Sequence, residues 1–245
     1  MPIGITGADM FMGVKSGNGY FTATPQTGTL NAGSGVIDAG SVSNPQLWNS
    51  ANNSGQLEVR IWQDPATSTR YYDLVDGTSG NSLFTGTAST TGGAGNTFTH
   101  GFTSGAAISF SGLAAPYTDF GASVTITGTP ASGDVFEVSR STSIGVFDML
   151  ADMINAVELQ ASLGGSGTTQ MNNQIGAALS NLSQVEDNVS RVRAGIGARL
   201  SELAWNATAR LPRLEVDERG DWLLTVLGKG DKERAIPLPR ACDAV

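Results

Sequence analysis

The chain has one cysteine, Cys242, in 245 residues. No internal disulfide is possible, so the fold depends on no oxidising compartment for covalent staples. Charged residues are scarce at 15%, aromatics stand at 7%, and the formal net charge is −8. That balance excludes a protein that coats nucleic acid, which needs a basic surface to displace counterions. DNA is therefore not an expected partner. No apolar run reaches the roughly 18 residues needed to span a bilayer, so membrane insertion is not expected either. The opening "MPIGITGADMFMG" lacks a basic segment followed by an apolar one, and no cleaved secretory signal is read there. The single histidine, His100, has no second ligand type nearby, which leaves no metal site and no cofactor to expect.

Glycine is abundant at 32 residues, with Ser, Thr and Asn also frequent. This composition predicts many short strands joined by turns rather than an α/β enzyme. From about residue 10 to 140 the pattern agrees. "FMGVKSGNGYFTAT" sets Asn18-Gly19 between apolar stretches, a local hairpin signal because both residues tolerate positive φ. "GQLEVRIWQD" alternates Leu57, Val59 and Ile61, then "PATST" leads into "RYYDLVD", a second hairpin. "AAISFSGL" and "ASVTITGTPASGDVFEVSR" continue as strands, with Val124, Ile126, Val135 and Val138 around a Pro-Ala-Ser-Gly-Asp turn. Residues 77–105, rich in Gly, Thr and Ser, predict a long surface loop or flexible excursion carrying a solvated His100. Asp73 and Asp76 resemble part of a calcium loop but lack its spacing and its bidentate Glu, so a plain turn is expected.

Two helices follow in this reading. "STSIGVFDMLADMINAVELQAS" spaces Ile144, Phe147, Leu150, Ile154 and Val157 by three and four, with Ser143 as the expected cap. "GGSG" at 164–167 is expected to break the helix. From Thr168 a narrow apolar seam runs through Ile175, Leu179, Leu182, Val185, Val189, Val192, Ile196, Leu200 and Leu203. The opposite face is Asn, Ser, Gln, Glu, Asp and Arg. The shorter first helix covers only part of such a seam, so the rest is expected to meet another helix or a neighbouring subunit.

Four of these stretches resemble the flagellin superfamily, specifically the hook-associated proteins of the hook–filament junction. They are "FMGVKSGNGYFTAT", "NAGSGVIDAGSVSNPQLWN", "SGDVFEVSRSTSIGVFDML" and "NNQIGAALSNLSQVEDNVSRVRAGIGARLSEL", in family order over about residues 9–203. The resemblance implies an α+β chain in which a β-rich outer domain rides on a helical stem. It implies self-association and other flagellar axial proteins (hook, junction and filament subunits) as partners, and an extracellular flagellar location reached without a cleaved signal. The family's N-terminal helices have no counterpart here and the stem helix departs from the family after about Leu203, so poor export and incorporation are expected.

The charge distribution marks that departure. Residues 1–190 hold 4 basic and 14 acidic residues, whereas residues 191–245 hold 10 and 8. The tail segment "GDWLLTVLGKGDKERAIPLPR" resembles the catalytic domain of tyrosine recombinases, where a Gly-Lys-Gly turn carries a lysine toward the DNA strand. Lys229 falls on that lysine. "GARLSEL" at 197–203 fits both families: it continues the stem, and it places Arg199 where the recombinase arginine would hold the scissile phosphate. Without a tyrosine nucleophile, a second arginine and their supporting groups in context, Arg199 and Lys229 make no active site, and no catalytic residue is assigned.

The sequence thus predicts three regions: a β-rich outer domain at 1–140, a helical hairpin or coiled-coil stem at 141–203, and a recombinase-like β-hairpin tail at 204–245. The expected role is structural and non-enzymatic, with Ile175, Leu179, Leu182, Val185, Val189, Val192, Ile196 and Leu200 as the assembly seam. The rival reading is a recombinase-derived DNA-binding fragment with an incidental flagellar segment. A β-rich adhesin or phage fibre segment is a weaker third, because it leaves the "VRAGIGARLSEL" helix unexplained.

Overall fold

The computed structural model describes residues 13–26, 31–117, 119–209, 213–228 and 232–237. The chain falls into two compact units, Met1–Val189 and Ser190–Val245.

Two antiparallel sheets form the β-rich part of the first unit. The larger has the strand order β2-β10-β5-β6-β7, built from β2 (Phe21–Pro25), β5 (Gln56–Gln63), β6 (Arg70–Asp76), β7 (His100–Gly101) and β10 (Val135–Arg140). The smaller runs β3-β9-β4, from β3 (Val36–Ile37), β4 (Ser41–Val42) and β9 (Ala122–Thr127), with β8 (Ala107–Ser109) also on β9. Strand alternation sends every second residue inward. Phe21, Leu57, Val59, Ile61, Leu74, Phe136 and Val138 of the larger sheet meet Ile37, Ile108, Val124 and Ile126 of the smaller in one buried cluster. Each fully buried side chain of this size contributes about 1.5–3 kcal/mol. A short helix, α1 (Pro45–Trp48), begins at Asn44, whose side chain accepts from the Gln46 and Leu47 amides. It delivers Trp48 to the core against Phe21, with ring centroids 4.9 Å apart.

The β5–β6 hairpin forms as its alternation predicts, from Leu57 opposite Asp76 to Gln63 opposite Arg70. The Asn18-Gly19 hairpin does not. The turn exists, with Asn18 Oδ1 accepting from the Tyr20 and Phe21 amides, but its two flanking strands pair elsewhere. β1 (Val14–Lys15) joins β11 (Ser143–Ile144), and β2 joins β10. Ser143 is therefore a strand residue opposite Lys15, not a helix cap, and Ile144 lies opposite Val14 rather than on the helix. The core decides this: β2 buries Phe21 and Ala23 only by lying beside β10.

Residues 77–99 are not a free excursion. Leu83 and Phe98 are buried, and the segment wraps onto the buried Asp73 carboxylate. Ser82 Oγ donates to Asp73 Oδ1 at 2.6 Å, while Ser89 Oγ and Thr97 Oγ1 donate to Oδ2 at 2.7 and 2.6 Å. Three hydroxyl donors offset the desolvation of this buried carboxylate. Asp76 is the plain turn residue expected, accepting from the Thr78 and Ser79 amides. Among the described residues no group of carboxylates, histidine or cysteine is arranged to hold a metal.

After β11 the backbone is helical from Val146 to Ala209, here α2. The non-helical break expected at 164–167 is absent. Glycine costs only about 1 kcal/mol per position in a helix, so a glycine-rich segment need not leave helical geometry. The helical run is nevertheless not one straight rod. A straight helix would hold Met149 and Asn181 about 48 Å apart at 1.5 Å per residue, yet both line one cleft with Asp152, Met153, Asn155, Gln174 and Ala178. Hydrogen bonds close the same circuit: the Ser16 amide donates to the Thr142 carbonyl, and the adjoining Gly17 carbonyl accepts from Ser180 Oγ. The run therefore turns back somewhere between Met149 and Asn181. The architecture is mixed α and β, with a β-rich part followed by a long helical run.

In the second unit, β12 (Arg213–Val216), β13 (Trp222–Gly228) and β14 (Lys232–Pro237) make an antiparallel three-stranded sheet. The expected hairpin is its β13–β14 pair. β12 is an addition, recruited by the Asp217–Asp221 turn, where Asp217 Oδ1 accepts from the Arg219 and Asp221 amides.

Candidate functional site

The polar face of α2, opposite the apolar seam, is where the helix meets the β-rich part. Asn173 is buried: its Oδ1 accepts from the Ile37 amide at 2.9 Å, and its Nδ2 donates to the Gly35 carbonyl at 3.1 Å. Two turns on, Ser180 Oγ donates to the Gly17 carbonyl at 2.7 Å and Asn181 Oδ1 accepts from the Gly17 amide at 2.5 Å. Gly17 adopts φ +65°, and a Cβ there would collide with the Phe21 carbonyl, so only glycine offers its backbone to the helix this way. Positions 173, 180 and 181 share one side of a 3.6-residue helix. Their chemistry is side chain to backbone throughout, which fixes register without an apolar stripe.

That arrangement frees the apolar residues for other contacts. Ala178 is buried, and the half-buried Val185 sits in a small cavity with Val14, Ile144, Val146 and Met149. This is the flank of the seam that the first arm of the fold-back covers. The other flank is open: Leu179 is 59% exposed and Leu182 50%. Ile175 and Val189 are half-buried. The first arm has an open stripe of its own, Phe147 (72% exposed), Leu150, Ile154 and Val157, spaced by three and four. In the second unit Val192 is half-buried, whereas Ile196 and Leu200 are exposed, as is Leu203. The eight predicted seam residues thus lie on one helix side, and the chain itself covers only part of it.

Arg199 lies on the exposed surface of α2, while Lys229 is outside the described residues. His100 is exposed, as expected, but lies on a strand rather than in a loop. It lies in β7 opposite Tyr72, its ring stacked on Phe84 with centroids 3.8 Å apart, and burial holds its pKa below the ordinary value against the opposing pull of Asp73. No helix among the described residues is long and apolar enough to cross a membrane.

A β-sheet pair is thus tied by polar contacts to a folded-back helical run, with apolar side chains of that run exposed. Solved structures share that framework. The chain is similar to the flagellar junction protein FlgL from Legionella pneumophila, with TM-score 0.66 and 20% identity over 83% of this chain and 56% of that one. A second structure from that organism, described as flagellar hook associated protein-3, gives 0.67 and 20% over 83% and 55%. FlgL from Xanthomonas campestris gives 0.58 and 21% over 81% and 54%. At this identity the likeness establishes the fold. The chain spans little more than half the length of these structures. No protein-family model and no curated protein sequence matches it.

Proposed function

We propose that this chain is a structural subunit, or part of one, of flagellar hook–filament-junction type, acting by helix–helix association and without catalysis. One observation carries the reading. A fold similar to flagellar junction proteins leaves two apolar stripes of its helical run exposed, Leu150-Ile154-Val157 and Leu179-Leu182. Water-exposed stripes at this spacing are the faces that helices of a bundle or a neighbouring subunit cover. The partners in this reading are hook, junction and filament subunits together with copies of the chain itself, in the extracellular flagellum. The region from 204 onward, resembling a recombinase fragment, takes no part in it.

The test is binding of the purified chain to purified hook, junction and filament subunits, followed by chemical cross-linking. Binding should be retained in high salt, because the contacts are apolar, and lost in the Leu179→Asp/Leu182→Asp variant. Absence of binding to all three subunit types would overturn the proposal. Salt-sensitive binding to duplex DNA instead, weakened by Arg234→Ala, would favour the recombinase-derived reading.

A further inference from the structure

The tail sheet has two unlike faces. Antiparallel register places Val216 opposite Trp222 and Leu224 opposite Ile236 on one face, and Glu215 opposite Leu223 and Thr225 opposite Ala235 on the other. On the first face Val216 is 51% exposed, Trp222 50% and Ile236 47%. A hydrophobic face on three strands is what so small a sheet needs for stability of its own, and here much of that face meets water.

Charge is segregated along the strands. The turn joining β12 to β13 carries Asp217, Glu218 and Asp221 against Arg219, and it borders Trp222. Toward the opposite end of β13 the register puts Arg234, opposite position 226, on the apolar face, while Glu233 falls on the other. The apolar face is thus acidic at one end and basic at the other. Such a pattern is complementary to its own copy turned through 180°, which is the requirement of a two-fold interface.

We infer that this face docks against the same face of a second copy of the chain, the acidic turn of each sheet meeting Arg234 of the other. Sheets stack about 10 Å apart with aligned strands. Three strands about 4.8 Å apart, four, seven and six residues long, cover on the order of 300 Å² per copy. That footprint belongs to the weak, concentration-dependent class of interface. The inference is independent of the flagellar reading, since it uses none of the stem residues.

Sedimentation velocity of the full chain tests it, in a Leu179→Asp/Leu182→Asp background so that stem association does not contribute. A dimer should appear as concentration rises, with the Trp222 emission shifting to the blue. Glu218→Arg and Arg234→Glu each place like charges together at both ends of the interface, so each variant alone should raise the dissociation constant roughly tenfold or more. A mixture of the two should regain a heterodimer, because each reversed charge then faces its complement. Both substitutions lie at exposed positions, and circular dichroism confirms that the sheet remains. A chain that stays monomeric at all concentrations, or variants that fail to rescue one another when mixed, would overturn the inference.

Discussion

Asn181 reaches across 164 residues of sequence to accept a hydrogen bond from the backbone amide of Gly17 at 2.5 Å. With Ser180 on the Gly17 carbonyl and Asn173 on Gly35 and Ile37, it ties the helical run to the β-rich part through a polar strip. An apolar interface here would have used the seam residues. A polar one leaves them open.

This strip predicts an ordering of stability effects. Asn173→Ala removes an acceptor from the Ile37 amide and a donor from the Gly35 carbonyl in a buried place, which should cost about 1–3 kcal/mol. Asn181→Ala, at a part-buried site, should cost less, about 1 kcal/mol. Gly17→Ala should cost the most, because a Cβ would sit 1.9 Å from the Phe21 carbonyl oxygen at a backbone angle that L-residues avoid. Urea denaturation of the three variants checks the order.

Stem exposure makes the opposite prediction for the seam. Leu179 and Leu182 already face water in the single chain, so Leu179→Asp/Leu182→Asp should change its stability by no more than about 0.5 kcal/mol. The same pair should abolish helical association, because each would bury an unpaired charge in the complex. An unchanged urea midpoint together with lost cross-linking is the expected result. A large loss of stability would mean that these residues are covered within the chain.

The sequence showed the elements more readily than their partners. Leu57, Val59 and Ile61 alternate because one face of β5 is core, and the local turn after them fixes the β5–β6 register. β1 and β11 offered no such signal: two residues each, they pair across about 129 positions, Val14 with Ile144. On the helix, the seam period marked out an apolar side, since apolar spacing is visible in residue types alone. It said nothing about Asn173, Ser180 and Asn181, whose types suit solvent as well as a backbone contact. Asp73 was equally silent. A carboxylate next to an apolar run reads as a turn, and the three hydroxyls that bury it arrive from positions 82, 89 and 97.

Asp73 is expected to hold the 77–99 segment in place. Asp73→Ala leaves three buried or half-buried hydroxyls without their acceptor and should destabilise the first unit by about 3 kcal/mol. Asp73→Asn keeps the shape and one acceptor oxygen, so its loss should be smaller. Limited proteolysis should show new cleavage within 77–99 in Asp73→Ala before any in the stem. Equal protection in variant and parent would show that Leu83 and Phe98 hold the segment unaided.

His100 supplies a pH dependence whose sign follows from its surroundings. Burial against Phe84 and Tyr72 lowers its folded-state pKa below the usual value near 6.5, so the folded chain favours the neutral ring. Above about pH 6.5 the ring is neutral whether the chain is folded or not, and its stabilising contribution is fully present. As pH falls through that value the unfolded chain binds the proton first, and stability declines until the folded-state ring also titrates. His100→Gln should flatten this part of the profile without shifting stability at neutral pH by more than about 1 kcal/mol. Urea midpoints measured from about pH 7.5 down to about pH 5 check it. A parent profile that rises toward acid, or one that His100→Gln leaves unchanged, would show that another group sets the dependence.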